Sequence, residues 1–147
     1  MEAASGLQRL GYNVILIEKS TTLGGHLASW DRLFPDGVSA KEKLKGLLAQ
    51  MDGVKCFTDT EVQSINTLDK SYNVILSHGI TVLADAVLVA CGFDLFKAEK
   101  KEEYGYGIYD HVITNADLEA WFNAGVGPDD RIANPKRIGF VHCVGSR

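Results

Sequence analysis

The chain has 147 residues, enough for one domain or for one domain and the start of another. Apolar residues make up 46% and charged residues 23%, an ordinary globular balance with enough apolar material to fill a core. The net charge of −4, with no Lys/Arg cluster interleaved with aromatics, argues against nucleic acid or an anionic membrane as partner, and no apolar run is long enough to span a bilayer.

The opening MEAASGLQRLGYN has neither the basic start nor the apolar centre of a secretory leader. In chain order, Ala3, Leu7 and Leu10 share one face of a predicted first helix, and Gly11 sits where a helix-ending glycine belongs. Val14 to Ile17 follows as a β-branched apolar run, the pattern of a strand buried on both faces of a parallel sheet. FPDG, residues 34 to 37, is turn chemistry. Ser39 and Glu42 are spaced as a capping box that opens a helix. Its stripe is Ala40, Leu44, Leu47, Leu48 and Met51, and Gly53 stops it. VKCF reads as a short strand with Cys56 in the core.

From Glu61 to Gly92 the pattern shortens to EVQSI, YNVIL, ITVLA and AVLVA, with His78-Gly79 as a two-residue hairpin turn. This predicts a β-meander inserted before a last parallel strand. The tract after Gly92 is rich in loops, including Tyr104 and Tyr106 beside glycines. A short helix is expected from about Asn115 to Phe122, with Leu118, Trp121 and Phe122 buried. GVGPDDRIANP reads as a linker and KRIGFVHCV as a final strand holding a packed His142, while His111 reads as a loop residue. The division expected is 1–93 as a partial dinucleotide-binding domain, 94–136 as a loop-rich connection with a short helix, and 137–147 as the first strand of a following segment.

The chemistry begins at Glu18. In a β-α-β dinucleotide unit the pyrophosphate rests on N–H groups at a helix N-terminus, and an acid at the tip of the next strand accepts from the ribose hydroxyls. That acid lies about 20 residues after the glycine loop, so counting back from Glu18 reaches Met1 or just before it. The expectation is therefore a first strand and glycine loop missing from the chain. The other reading of Glu18 is an ordinary polar strand end. Gly24-Gly25 lets backbone approach a ligand closely, or simply makes a turn. Ala90, Cys91 and Gly92 end AVLVA in small residues, which suits a cofactor alongside or a tight turn alone.

IEKSTTLGGH, LVACGFDLF, KEEYGYGIYDHVIT and RIGFVHCVGSR, in this order, resemble the FAD-binding, A-type subunit of heterodisulfide reductase and its relatives, among the two-dinucleotide-binding-domain flavoproteins. The resemblance covers nearly the whole chain, and Lys101 to Thr114 with the closing CVGSR are its most specific parts. It implies an α/β fold, an incomplete Rossmann-like FAD-binding domain with a β-meander, truncated at both ends. It implies that Glu18 holds the ribose and that Lys19, Gly24, Gly25 and His26 lie along the FAD. Val62 would meet the adenine through its backbone, and Ala90, Cys91 and Gly92 would close the domain, with Cys91 where relatives carry Thr.

The complete protein would pass electrons through flavin between a low-potential donor and an iron–sulfur partner or disulfide, within a complex of other subunits. The family's ferredoxin-type cysteine clusters are absent from this sequence, so no iron–sulfur centre is expected in this chain. Cys56, Cys91 and Cys143 form no C-x-x-C pair, and one thiolate cannot hold a cluster. No metal site and no catalytic acid, base or nucleophile is expected, and a reducing, cytoplasmic setting is the simplest one. A sheet lacking its central strand would leave open edges, through which a second copy could pair, and would bind FAD poorly. Two alternatives stay open: a pyridine-nucleotide enzyme in which Glu18 holds an NAD ribose, and a non-catalytic subunit-contact module.

Overall fold

A computed structural model of the protein describes residues 1–125 and 135–145. In chain order these form α1 (Glu2–Arg9), β1 (Ile15–Ile17), β2 (Arg32–Leu33), β3 (Val38–Ser39), α2 (Ala40–Ala49), β4 (Lys55–Phe57), β5 (Val62–Leu68), β6 (Ser71–Leu76), β7 (Thr81–Ala84) and α3 (Asn115–Ala124). They group into two compact units, Met1–Gly25 with Glu42–Gly92, and His26–Lys41 with Phe93–Arg147. Composition keeps 1–93 together, whereas the structure groups residues 26–41 with those after 92.

In the first unit, α1 ends as Gly11 predicts. Gly11 turns left-handed at φ 89°, its N–H donates to Gln8 O at 3.0 Å, and Tyr12 N–H donates to Leu7 O at 3.2 Å. These two bonds satisfy carbonyls that the helix end would otherwise leave bare. The buried face is not the expected one. Ala4 and Ser5 are buried, while Leu7 is exposed and Leu10 is 75% exposed. On the same helix, the Gln8 side chain reaches Gly53, with Nε2 3.0 Å from where a Cβ on that glycine would stand.

α2 starts directly after Ser39, with Glu42 in its first turn, where the Ser39/Glu42 spacing put its N-terminus. Ala40, Leu47 and Met51 are buried, but Leu48 is exposed, because it sits one residue, about 100° of helix, past Leu47. Arg9 donates to Gln50 Oε1 at 3.0 Å and Lys43 pairs with Glu2 at 3.4 Å, tying α1 to α2.

β1 and β4 pair in parallel, with Ile15 opposite Lys55 and Ile17 opposite Phe57, as the β-branched run predicted. Burial on both faces does not follow: Ile15 is exposed, and Cys56, expected in the core, is also exposed. Strand alternation sends Cys56 to the face opposite Phe57, and Phe57 is the one that packs on the core.

β5, β6 and β7 form the expected antiparallel meander, with β6 in the middle. His78 (φ 59°, ψ 21°) and Gly79 (φ 72°) turn consecutively left-handed between β6 and β7, the backbone a two-residue hairpin prefers. Val74, Leu76 and Val82 are the core, with Leu76 wholly buried, and Ile17, Phe57, Tyr72 and Ile80 pack against it. The parallel pair and the meander thus share one apolar centre.

Two expected strands do not form. Residues 86–90 make no ladder with any described strand and leave Val89 75% exposed. Residues 136–144, expected as a final strand, likewise make no ladder. His142, expected as a packed core imidazole, is exposed and stacks on Phe140 at 6.4 Å. A strand exists only through a partner's hydrogen bonds, and β-branched composition supplies none.

In the second unit, β2 and β3 make a hairpin around the FPDG turn, with Gly37 (φ 63°) donating its N–H to Leu33 O at 2.8 Å. α3 opens on a capping box that its apolar pattern does not reveal. Thr114 Oγ1 accepts from Asp117 N–H at 3.2 Å, and Asp117 Oδ2 accepts from Thr114 N–H at 2.8 Å. Leu118 and Trp121 are half-buried, while Phe122, expected on the buried face, lies one residue past that face and is exposed. The expected linker at 125–135 lies almost entirely outside the described residues.

Candidate functional site

β1 ends at Ile17, and Glu18 is the next residue. Parallel pairing continues past both strand ends: Glu18 N–H donates to Phe57 O at 2.8 Å, and Thr60 N–H donates to Glu18 O at 3.1 Å. Asp59 N–H donates to Ser20 O at 2.9 Å. Glu18 is therefore held at the carboxyl end of the parallel pair, where open α/β sheets form their ligand crevices. One carboxylate oxygen accepts from Ser20 N–H at 2.8 Å. A carboxylate offers about four acceptor positions, so the bond to Ser20 orients the group and leaves room for ligand hydroxyls.

Behind this ledge stands the meander. Thr60 is buried, and its hydroxyl donates to Thr58 O at 2.8 Å. Glu61 N–H donates to Ser77 Oγ at 3.0 Å, and Ser77 N–H returns to Glu61 O at 2.8 Å. Val62 follows at once as the first residue of β5, paired with Leu76 beside a register shift, so the fold brings Val62 to the same end as Glu18. Sequence does not mark Ser20, Asp59, Thr60 or His78 as site residues. The one signal that bears on them is His78-Gly79, which by itself says only that the chain turns.

Lys19 is exposed. Gly24 (φ 132°) and Gly25 (φ 52°) both use backbone that favours glycine, and a Cβ at Gly25 would meet open space. Ala90 and Gly92 lie on the exposed segment after β7, with Gly92 at φ 70°. His26 belongs to the second unit. There its ring stacks on Trp30 (5.8 Å, 8° between planes), tilts on Phe93 at 5.0 Å, and Nε2 lies 2.7 Å from Phe93 O. Its side chain thus has a packing role of its own. No group of three or more His, Cys, Asp or Glu side chains that could hold a metal occurs among the described residues, and none of their helices is long and apolar enough to cross a membrane.

The fold likeness defines the class first. The chain shares an α/β fold with L-proline dehydrogenase from P. horikoshii, at a TM-score of 0.56 over 61% of this chain and 19% of that one, with 23% identity. No family model matches the chain. Sequence relatives are closer. The chain is 46% identical over 69 residues to an A-type iron–sulfur subunit of CoB–CoM heterodisulfide reductase from Methanopyrus kandleri, covering 42% of this chain and 10% of that protein. It is 44% identical over 75 residues to the A-type subunit of the H2/formate:CoB–CoM heterodisulfide, ferredoxin reductase of Methanococcus maripaludis, covering 46% and 11%. The corresponding subunit of Methanocaldococcus jannaschii matches at 44% over 75 residues. Over this stretch the chain is a relative of the A-type subunits of heterodisulfide reductase, as the sequence motifs indicated, and it spans about a tenth of the length of the relatives it matches.

Proposed function

We propose that the first unit is the adenosine end of an FAD-binding, Rossmann-like domain in an oxidoreductase related to the A-type subunit of heterodisulfide reductase. The observation that carries this reading is Glu18, oriented by Ser20 N–H at the carboxyl end of a parallel strand pair. The residues present fit that half of the cofactor: spare carboxylate acceptors suit ribose hydroxyls, and glycine backbone at Gly24 and Gly25 suits close approach. In this reading Lys19 lies along the cofactor's path, Val62 meets adenine through its backbone, and Ala90 and Gly92 pass beside it.

When bound, FAD supplies the electron-transfer chemistry, and the protein binds and orients it. The chain's own residues contribute binding and no acid, base or nucleophile. The 147 residues contain no G-x-G-x-x-G, so the pyrophosphate has no glycine cradle here, and the chain by itself retains little FAD. Electrons pass onward to iron–sulfur or disulfide partners on other subunits of a cytoplasmic complex, and this chain holds no cluster of its own. The open edge of β1 is where a second copy would pair. The meander between Gly53 and Gly92 favours FAD over the NAD alternative.

Two measurements test this. A visible spectrum of the purified chain is expected to show flavin well below one equivalent, and a stoichiometric flavin band would show that the glycine cradle is dispensable. Titration with adenosine 5′-monophosphate, followed by NMR, is expected to shift Glu18 and Ser20 amides at millimolar concentration and to fail in Glu18→Ala. Unchanged binding in that variant removes Glu18 from the site.

A further inference from the structure

Four described non-glycine residues carry a left-handed backbone, at Asp59, Asp69, His78 and Cys143. Such residues are held only where their surroundings over-determine them, and they cluster at functional sites. Two of the four touch: His78 Nε2 lies 3.1 Å from Asp59 O. A carbonyl can only accept, so this partner assigns the proton to Nε2. From Asp59 the bonds continue in one direction. Asp59 N–H donates to Ser20 O at 2.9 Å, and Ser20 N–H donates to Glu18 Oε1 at 2.8 Å.

The relay thus runs from the β6–β7 turn to the carboxylate of Glu18. The turn's other side is fixed by the Glu61–Ser77 bonds, at 3.0 and 2.8 Å, so the imidazole is aimed by the meander itself. The hairpin alone does not need a histidine, since Asn-Gly makes the same turn.

We propose that His78 is a positioning residue for Glu18. It donates to Asp59 O and fixes the left-handed residue that carries Ser20, which in turn orients the carboxylate. This rests on the reading of Glu18 as the ribose acid. It gives the meander a role in ligand affinity in addition to its role in the core.

The test compares three proteins by NMR titration with adenosine 5′-monophosphate: the chain as it is, His78→Gly and His78→Gln. Glycine accepts the left-handed backbone and removes the donor. Glutamine places an amide N–H near the position of Nε2. His78→Gly is expected to weaken the nucleotide about fivefold, the equivalent of one ordinary hydrogen bond, and to speed exchange of the Ser20 and Asp59 amides. His78→Gln is expected to restore affinity to within about twofold, which loss of general stability would not do. Equal affinity in all three proteins overturns the role of His78 and leaves the Glu18 reading intact. Absence of nucleotide shifts at Glu18 and Ser20 in the unaltered chain overturns that reading, and the role of His78 with it.

Discussion

Glu119 of α3 holds the backbone at the start of β2, 88 positions away in sequence, with a carboxylate oxygen 2.8 Å from Asp31 N. The same oxygen lies 3.4 Å from Arg32 N, and Asn123 Nδ2 donates to Ala28 O at 2.8 Å one helical turn further along. The segment that leads into β2 is therefore pinned to α3 by side chains that reach backbone. Glu119→Ala leaves the Asp31 and Arg32 amides without this acceptor and is expected to cost about 1–3 kcal/mol, with Glu119→Gln, which keeps an acceptor oxygen, costing less. Urea denaturation of the three proteins checks this. Equal midpoints for all three proteins would show that Glu119 does not hold the hairpin.

Thr114 caps α3 in both directions of the box. Thr114→Ala is expected to destabilise by about 1 kcal/mol, and Thr114→Ser to recover most of it, because the serine hydroxyl can accept the same amide. Thermal unfolding followed by circular dichroism distinguishes them. A serine variant as weak as alanine would assign the effect to the threonine methyl.

Gly105 sits at φ 75°, and a Cβ there would fall on the Tyr109 ring. Gly105→Ala combines a left-handed backbone penalty of about 1–2 kcal/mol with an overpacking penalty of about 1–3 kcal/mol. Adding Tyr109→Ala should relieve the second part and leave the first. A double-mutant cycle in denaturant measures the coupling. Strict additivity would mean that the ring moves aside freely.

Tyr106 has its phenol pushed above the ordinary 10.0, first by burial and then by Asp117, whose carboxylate receives its hydrogen bond at 3.4 Å. The raised value means that the folded state keeps the phenol proton longer than the unfolded chain does. This contribution is fully present below pH 10 and is lost as pH rises through the folded value. Stability against urea is expected to fall more steeply above pH 10 in the unaltered chain than in Tyr106→Phe. Parallel curves would show that the phenol makes no difference.

Much of the first unit is legible in the sequence because its signals are local. Gly11 ends α1 through its own backbone freedom, His78-Gly79 turns the hairpin by the same means, and the run at 14–17 pairs in parallel as its β-branched composition suggests. Glu18 is legible too, as an acid at a strand tip. The Thr114–Asp117 box is equally local, but a short T-x-x-D inside a loop-rich tract does not stand out until the helix behind it is seen.

Tertiary structure decided what depends on a partner distant in sequence. Residues 86–90 and 136–144 have strand composition, yet they pair with no described strand even though β1, β4, β5 and β7 each keep an unpaired edge, so they stay unladdered and largely exposed. Periodicity chose Leu7 and Leu10 for the face of α1, but the folded chain buries Ala4 and Ser5. The orientation of Glu18 depends on Ser20, Asp59 and His78, whose hydrogen bonds join three separate turns of chain. Backbone preference is a property of a few adjacent residues, and sequence alone specifies it here. Pairing, burial and the aim of a carboxylate are set by atoms that only folding brings within about 3 Å of one another.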